Sequence, residues 1–355
     1  LTHSAGFPED NPWGDQQLDA TEAAFSAMLR GGIPFSTPPG TAYEYSNYGF
    51  AILGRIVTNV SGVPYARYVR ERILLPLGMT TTTLESGDVD PATLAYGYRL
   101  QDGAWLLEPP LPDGAFGVMG GMLTTPADLS KWVSFMLDAW PARDGAESGP
   151  VRRSSVREMQ QIHRFSGASA DARNDALALS AGGYGYGLRV AQHCDFRAAV
   201  SHTGGLPGYG SIMKWLPDQG VGIIALGSLT YTPWTPVVDR MIELLRRTGG
   251  LEPRAPQPSP VLETRRMQVT RLVREWSVPL ADSLAAMNLF RDESAARRAA
   301  QIAQVRDEAG GECRAEGPFV VENALRGAWR LRCARGDLAV RITLAPTEPA
   351  QVQFL

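Results

Sequence analysis

The sequence predicts an α+β fold, in which an antiparallel sheet is flanked by helices and a helical region lies beside it. Two observations lead to this prediction: helical patterns recur within the first 140 residues, of which 1–40 are loop-rich, and short strands separated by turn signals follow between residues 184 and 226. Prolines after Gly249-Gly250 then mark a linker. We place the first domain at residues 1–248, the linker at 249–261 and a small C-terminal α/β accessory domain at 262–355.

Helices are predicted from capping residues and from apolar spacing. In the strongest pattern, Phe50, Leu53, Ile56, Val57 and Val60 share one helical face, and Gly62 follows as a C-terminal stop. Thr125-Pro126-Ala127-Asp128 has the form of a capping box, in which the aspartate returns its carboxylate to the helix start. Within the first domain we predict helices over residues 21–29, 47–60, 65–75, 125–137, 154–162 and 236–247.

Strands are predicted where turn signals divide short apolar segments. Pro207-Gly208 and Pro217-Asp218 are such turns, so the segments around them form an antiparallel meander. We predict strands over residues 184–190, 198–202, 210–216 and 220–226, helices across most of 261–309, and a small sheet over 317–355. The glycines of residues 183–187 would then lie inside a strand, which disfavours a phosphate-binding loop. Residues 141–175 are predicted to be a polar excursion around one short helix.

Composition excludes several functional classes. The 355 residues carry a net charge of -3 with no basic stripe, so no nucleic-acid partner is predicted. No apolar run is long enough to cross a bilayer, and no metal or cofactor is predicted. Cys313 and Cys333 could form a disulfide, or they could be two small buried apolar residues. His193-Cys194-Asp195 cannot converge on one ion, and we interpret His3 and His163 as incidental.

The segment from Pro39 to Phe50 contains the first candidate site residues. Tyr45 and Asn47 lie two positions apart at a turn that enters a helix, so both side chains can face a cleft. A phenol can act as a proton acceptor where a nearby cation favours its phenolate. Asn47 offers a carboxamide to a substrate amide. The alternative is a core aromatic residue followed by a helix cap.

The second candidate segment is His202-Thr203-Gly204-Gly205. The glycines allow a substrate backbone to approach the strand closely, and the N–H of Gly205 could point at a developing oxyanion. The alternative is a glycine-rich hairpin that happens to contain a histidine.

Together, the two segments resemble the serine β-lactamase and DD-peptidase superfamily, and within it the class C β-lactamases with their related esterases and D-stereospecific peptidases. Leu1-Thr2-His3-Ser4-Ala5-Gly6 resembles the family segment LTHTSG. Further similar segments begin at Val60-Ser61-Gly62, Pro76-Leu77-Gly78-Met79 and Gly120-Gly121-Met122. The resemblance covers about residues 1–248 and implies a β-lactamase/transpeptidase-like fold.

The resemblance also implies a role for each site residue. Tyr45 would be the proton shuttle, Asn47 a substrate anchor, His202, Thr203 and Gly204 the third wall of the site, and Gly205 an oxyanion donor. The family's Ser-x-x-Lys nucleophile motif belongs before Leu1, so we expect the chain to begin within a longer protein and to be inactive as given. Ser211 and Lys214 fit the motif literally, but on a strand they point to opposite faces.

The predicted function is therefore that of a serine hydrolase acting through an acyl-enzyme on an ester, amide or β-lactam carbonyl. His202 replaces the family's lysine and weakens a permanent charge for a substrate carboxylate, which favours an esterase or D-peptidase over a β-lactamase. The substrate would be a small molecule or short peptide. A periplasmic or secreted location follows from the resemblance alone, and the oligomeric state stays open. The alternative function is a non-catalytic ligand- or peptidoglycan-binding protein with the same fold.

Overall fold

The structure, a computed structural model, describes residues 1–143, 145–147, 149–173 and 176–355, with the side chains of 171–173, 176 and 177 left out. The chain divides into two compact units. Unit 1 comprises Leu1–Trp140 and Glu147–Pro253, and unit 2 comprises Pro141–Ala146 and Arg254–Leu355.

Eight helices belong to the described part of unit 1, and their starts follow the capping signals of the sequence. The side chains of Thr21, Ser46 and Thr125 each accept a hydrogen bond from a backbone N–H in the first helical turn. Gly62 ends its helix in the left-handed conformation at φ 70°. The helices are α1 (Asn11–Gly14), α2 (Glu22–Gly31), α3 (Asn47–Ser61), α4 (Tyr65–Val69, continued by a π-helical turn over Arg70–Leu74), α5 (Gly117–Gly120), α6 (Pro126–Asp138), α7 (Arg153–Met159) and α8 (Trp234–Arg247).

Two details of the helix predictions are wrong. The buried face of α3 is formed by Asn47, Tyr48, Ala51 and Gly54, whereas Val60 on the predicted face is 83% exposed. The face that contains Gly54 is the buried one because it packs closely on Val118, whose side chain a Cβ on Gly54 would overlap. The Asp128 carboxylate does not return to the helix start. It accepts hydrogen bonds from Thr81 and Thr82 and pairs with Lys131 at 2.7 Å.

The main sheet of unit 1 is a six-stranded antiparallel meander in the order β3-β4-β5-β6-β7-β8, and a separate hairpin forms from β1 and β2. The turns at Pro207-Gly208 and Pro217-Asp218 are confirmed. The strands are β1 (Gly97–Gln101), β2 (Ala104–Glu108), β3 (Arg164–Arg173), β4 (Ala176–Tyr184), β5 (Arg189–His193), β6 (Phe196–Leu206), β7 (Tyr209–Leu216) and β8 (Val221–Gly227).

The predicted strand over 184–190 is wrong. Gly185 donates its N–H to the carbonyl of Leu188 at 2.8 Å, and so the glycine-rich segment forms the turn between β4 and β5. The sequence analysis also missed the β1–β2 hairpin, and it missed β3 within the polar excursion of residues 141–175. Residues 144, 148, 174 and 175 of that excursion lie outside the described residues.

The core of unit 1 lies between the sheet and α6. Trp215 of β7 is fully buried among Val133, Met136, Val190 and Val200, and its indole N–H donates to the side chain of Gln160 at 2.9 Å. This bond satisfies a polar group that would otherwise be costly to bury. This packing against α6 positions the sheet, including β6, which carries residues 202–205.

Unit 2 has its own core, centred on Leu262, Leu331 and Ile342, each fully buried. Cys313 and Cys333 are opposite each other on neighbouring strands and form a disulfide, so the first of the two alternatives holds. Its helices are α9 (Pro260–Arg274), α10 (Val278–Leu284), α11 (Leu289–Asp292) and α12 (Ala295–Glu308), and its sheet, in the order β12-β11-β10-β9, contains β9 (Cys313–Asn323), β10 (Arg326–Cys333), β11 (Asp337–Leu344) and β12 (Val352–Phe354). Of the helices in the described part of the chain, none combines the length and apolarity needed to span a membrane.

Candidate active site

The start of α3 is fixed by a single carboxylate. Asp10 accepts hydrogen bonds from the backbone N–H groups of Asn47 and Tyr48, both at 2.7 Å. A carboxylate at this position satisfies free N–H groups and complements the positive end of the helix dipole. Asn47 itself is only 3% exposed, and its amide donates to Oδ1 of Asn11 at 3.1 Å. The predicted substrate anchor is therefore already packed against α1.

Tyr45 and His202 are brought together, although 157 positions separate them in the chain. Their ring centroids lie 6.4 Å apart with the rings tilted by 38°. Burial raises the pKa of Tyr45 to about 12, and the nearby guanidinium of Arg189 lowers it by less than burial raises it. Tyr45 is thus a neutral phenol at pH 7, and the phenolate-stabilising cation expected from the sequence does not dominate.

His202 is held by two hydrogen bonds. Its Nδ1 lies 2.7 Å from the carbonyl oxygen of Thr203, and its Nε2 lies 2.8 Å from the hydroxyl of Tyr184. A carbonyl can only accept, so Nδ1 carries the proton. Burial lowers the pKa of His202, and the nearby Arg189 lowers it further, although the bond to Thr203 acts in the opposite direction. The imidazole is therefore neutral, and Nε2 accepts the hydrogen bond from Tyr184.

His3 is not incidental, which corrects the sequence interpretation. It is 6% exposed, its Nδ1 accepts the backbone N–H of Ser46 at 3.0 Å, and its ring lies 4.1 Å from that of Tyr45. Burial, followed by the nearby His202, lowers the pKa of His3 to about 3. His3 therefore supports Tyr45 as a neutral ring. His163 has contacts too, since it stacks on Tyr186 at 4.3 Å.

One edge of β6 is open at the predicted substrate-binding residues. β5 begins at Arg189, which pairs with Ser201, so residues 202–206 pair only with β7 among the described strands. Leu206 and Tyr209 flank a two-residue turn and form a hydrogen-bonded pair, and the pairs alternate from there. The N–H groups of Thr203 and Gly205 consequently point to the open edge. This is the direction that an oxyanion donor requires.

Neither lysine of the chain forms the nucleophile motif with a serine. Lys214 pairs with Asp239 at 2.5 Å, and it lies on β7, where Ser211 faces Gly204 across the ladder. Lys131 pairs with Asp128. Among the described residues, no His, Cys, Asp and Glu side chains group together as three or more metal ligands, and Cys194 is an exposed free thiol.

A cavity of about 540 Å³ opens next to the start of α3. Its lining includes Phe7, Trp13, Met28 and Tyr48 but neither Tyr45 nor His202. The candidate site is thus an open strand edge beside a cluster of rings, and this cavity lies apart from it.

Sequence reasoning missed several residues around the site. His3 lies in the segment similar to LTHTSG, and that similarity was a signal for it. Tyr184 lies in the glycine-rich run, where the structure has a turn in place of the predicted strand. Asp15 and Tyr231 are joined by a hydrogen bond of 2.9 Å across 216 positions, and no local pattern announces such a contact.

Known proteins are similar to much of this chain. Protein flp of Staphylococcus aureus strain NCTC 8325 is 28% identical over 197 residues, which are 55% of this chain and 35% of that protein. The chain therefore spans about a third of the length of this relative. A penicillin-binding protein from Bacillus halodurans has a TM-score of 0.52 at 23% identity, covering 69% of this chain and 70% of its own.

The octameric penicillin-binding protein homologue from Pyrococcus abyssi has a TM-score of 0.54 at 19% identity, covering 100% of this chain and 70% of its own. At these identities the two structures confirm the predicted fold class. The beta-lactamase family matches residues 1–248, which is well over half of the chain. The chain therefore belongs to the beta-lactamase family, a family of serine hydrolases.

Proposed function

We propose that the full-length protein is a serine hydrolase that forms an acyl-enzyme with an ester or amide substrate, and that these 355 residues contribute the tyrosine and histidine sides of its site. The observation that carries the proposal is the placement of the Tyr45 phenol 6.4 Å from the His202 imidazole, next to the open edge of β6. This combination joins a proton-transfer group to a strand that can bind a substrate backbone.

In the proposed reaction, the serine hydroxyl attacks the substrate carbonyl while the Tyr45 phenolate, ionised by a neighbouring cation, accepts its proton. The carbonyl oxygen becomes an oxyanion, which the N–H of Gly205 stabilises. Tyr45 then donates the proton to the leaving alcohol or amine as the acyl–oxygen or acyl–nitrogen bond breaks. A water molecule attacks the acyl-enzyme, releases the acid and restores the serine.

The raised pKa of Tyr45 sets a condition for this role. A phenol with a pKa of about 12 is rarely ionised at pH 7, so a cation must lie beside it during the reaction. The lysine of a Ser-x-x-Lys motif, placed before Leu1 by the resemblance, would supply that cation. Ser211 and Lys214 match the motif only in sequence, because they lie on a strand and Lys214 pairs with Asp239. We therefore propose that the 355-residue chain is inactive by itself.

The neutral state of His202 favours ester and amide substrates that lack a carboxylate over β-lactams. A β-lactam carries a carboxylate that a fixed cation would bind, and His202 offers none at pH 7 because burial lowers its pKa. The second candidate function is a binding protein without a nucleophile. Both lysines of the chain form ion pairs with aspartates, and this observation favours the binding function.

Labelling with a fluorophosphonate probe and with a fluorescent penicillin tests the proposal. We expect the full-length protein to be labelled at a serine upstream of Leu1, and the 355-residue chain to stay unlabelled. A Ser211→Ala variant is the matched control and should leave both results unchanged. Labelling of the short chain at Ser211 would contradict our interpretation, and an unlabelled full-length protein would favour the binding function.

A further inference from the structure

A hydrogen bond between Tyr231 and Asp15 joins the two sides of the candidate site. Tyr231 follows β8, and Asp15 comes directly after α1. The Tyr231 hydroxyl donates to Oδ2 of Asp15 at 2.9 Å. This bond uses the only hydroxyl of Tyr231 and links segments that are 216 positions apart in the chain.

Each end of this bond lies against a predicted substrate-binding residue. A Cβ added to Gly14 would be 2.9 Å from Cβ of Asn47, so the end of α1 packs directly on that side chain. A Cβ added to Gly205 would be 2.5 Å from Cδ1 of Tyr231, so the phenol ring packs directly on the strand. The bond therefore spans from the Asn47 side of the site to the Gly205 side.

The backbone of Tyr231 is strained to make this contact. Its φ of 51° lies in the left-handed region, which is an outlier for a bulky aromatic residue. The N–H of Tyr231 donates to the carbonyl of Tyr209 at 3.0 Å and helps to hold this conformation. Such strain persists only where surrounding contacts require it, and it is concentrated at functional sites.

Asp15 is the second unusual partner. It is a carboxylate with 3% exposure, and no ion pair to it forms among the described residues. Burial raises its pKa, the bond from Tyr231 lowers it, and the nearby Asp10 and Glu9 raise it further. A buried carboxylate without a cation is costly, and the hydroxyl of Tyr231 partly compensates this cost while the carboxylate fixes the position of the ring.

We propose that the Tyr231–Asp15 bond is a barrier that limits the acyl group of the substrate to short chains. The proposal rests on the proposed function and names its substrate class. An acyl group whose oxygen is held by the N–H of Gly205 lies beside the Tyr231 ring, which is 47% exposed. In this proposal a two-carbon acyl group fits without moving the ring. A longer chain has to displace the ring and break its bond to Asp15.

Ester hydrolysis by the full-length enzyme tests this barrier. The measured quantity is the ratio of kcat/KM for p-nitrophenyl octanoate to that for p-nitrophenyl acetate. We expect Tyr231→Ala to raise this ratio about tenfold or more, since pocket size discriminates apolar groups on this scale. Tyr231→Phe keeps the ring but loses the bond, and it should raise the ratio less. Tyr209→Phe, which removes a hydroxyl bonded to the carbonyl of Ala95, is the control and should not change it.

The outcomes separate the two proposals. A wild-type enzyme that hydrolyses esters, with an unchanged ratio in Tyr231→Ala, would overturn the barrier and leave the hydrolase function standing. A wild-type enzyme that hydrolyses neither ester would overturn the function and the barrier with it. Thermal melting monitors folding, and Tyr231→Gly, which suits the left-handed backbone, opens the same space if the alanine variant is unstable.

Discussion

The hydroxyl of Tyr184 and Nε2 of His202 lie 2.8 Å apart, and since the Thr203 carbonyl keeps the proton on Nδ1, this hydroxyl donates to Nε2. Tyr184 is 1% exposed, and burial raises its pKa far above the ordinary value for tyrosine, so it remains a proton donor. The site therefore presents a neutral His202 whose acceptor nitrogen is already occupied.

Replacing Tyr184 with phenylalanine should release this constraint. The neutral imidazole loses a hydrogen-bond donor at Nε2, so the pKa of His202 should rise, while the Thr203 carbonyl keeps the proton on Nδ1. The measurement is the ¹⁵N chemical shifts of the His202 ring as a function of pH in the 355-residue chain. Tyr186→Phe, at the ring that stacks on His163, is the control. An unchanged pH titration of the His202 shifts in Tyr184→Phe would show that the bond does not stabilise the neutral imidazole.

Tyr45→Phe in the full-length enzyme should lower the rate of acylation about 10²–10⁴-fold, because a positioned acid–base group contributes this much. Substrate binding should change much less, since the ring and its contact with His3 are kept. Stopped-flow measurement of the acylation burst separates the two effects. Acylation at near wild-type rate would remove Tyr45 from the mechanism.

Asp128 should make stability depend on pH. Desolvation alone would raise its pKa, but hydrogen bonds from Lys131, Thr81 and Thr82 outweigh it and lower the pKa to about 2. A depressed folded pKa stabilises the protein above the unfolded value of 3.8, and this contribution is lost as the pH falls toward 2. From this shift the ionised form contributes about 2 kcal/mol at pH 7.

Asp128→Asn should therefore lower the free energy of unfolding by about 2–3 kcal/mol at pH 7, and the difference from wild type should narrow below pH ~4. Urea denaturation at both pH values measures it. Asp218→Asn, which breaks an ion pair with the exposed Arg197, is a matched control that should cost at most about 1 kcal/mol. An equal difference at both pH values would show that the Asp128 charge is not involved.

The disulfide of unit 2 should contribute about 3 kcal/mol, because it closes a loop over a sequence separation of 20 residues. The double variant Cys313→Ser/Cys333→Ser should unfold at lower denaturant concentration, and reduction of the wild type should have a similar effect. Cys194→Ser changes an exposed thiol and should leave unfolding unaffected. A wild type that is insensitive to reduction would contradict the expectation.

The sequence predicts those parts of the fold that depend on contacts between residues close together in the chain, and it fails where the contacting residues are far apart in the chain. The caps at Thr21, Ser46 and Thr125 act within one helical turn, and those helix starts are confirmed. The buried face of α3 was predicted wrongly, because its orientation depends on Val118, which packs against Gly54 from a distant segment. A local sequence pattern shows which residues are apolar, but it does not show which of them are buried against a distant segment.

The same distinction applies to the candidate site. Tyr45 and residues 202–205 could be predicted as site residues because they lie in short motifs, and the family resemblance implied a role for each. Asp15 and Tyr231 meet only in the folded chain, and the left-handed backbone of Tyr231 has no signature in its side chain. Their roles, like those of Tyr45 and His202, remain predictions for the experiments above.

The open edge of β6 has a consequence beyond catalysis. The unpaired N–H and C=O groups of an edge strand can form hydrogen bonds with any extended peptide, including the equivalent strand of a neighbouring molecule. Occupancy by substrate and self-association through this border therefore compete for the same hydrogen bonds. A substrate analogue should keep concentrated preparations of the protein dispersed, whereas preparations without it should aggregate sooner.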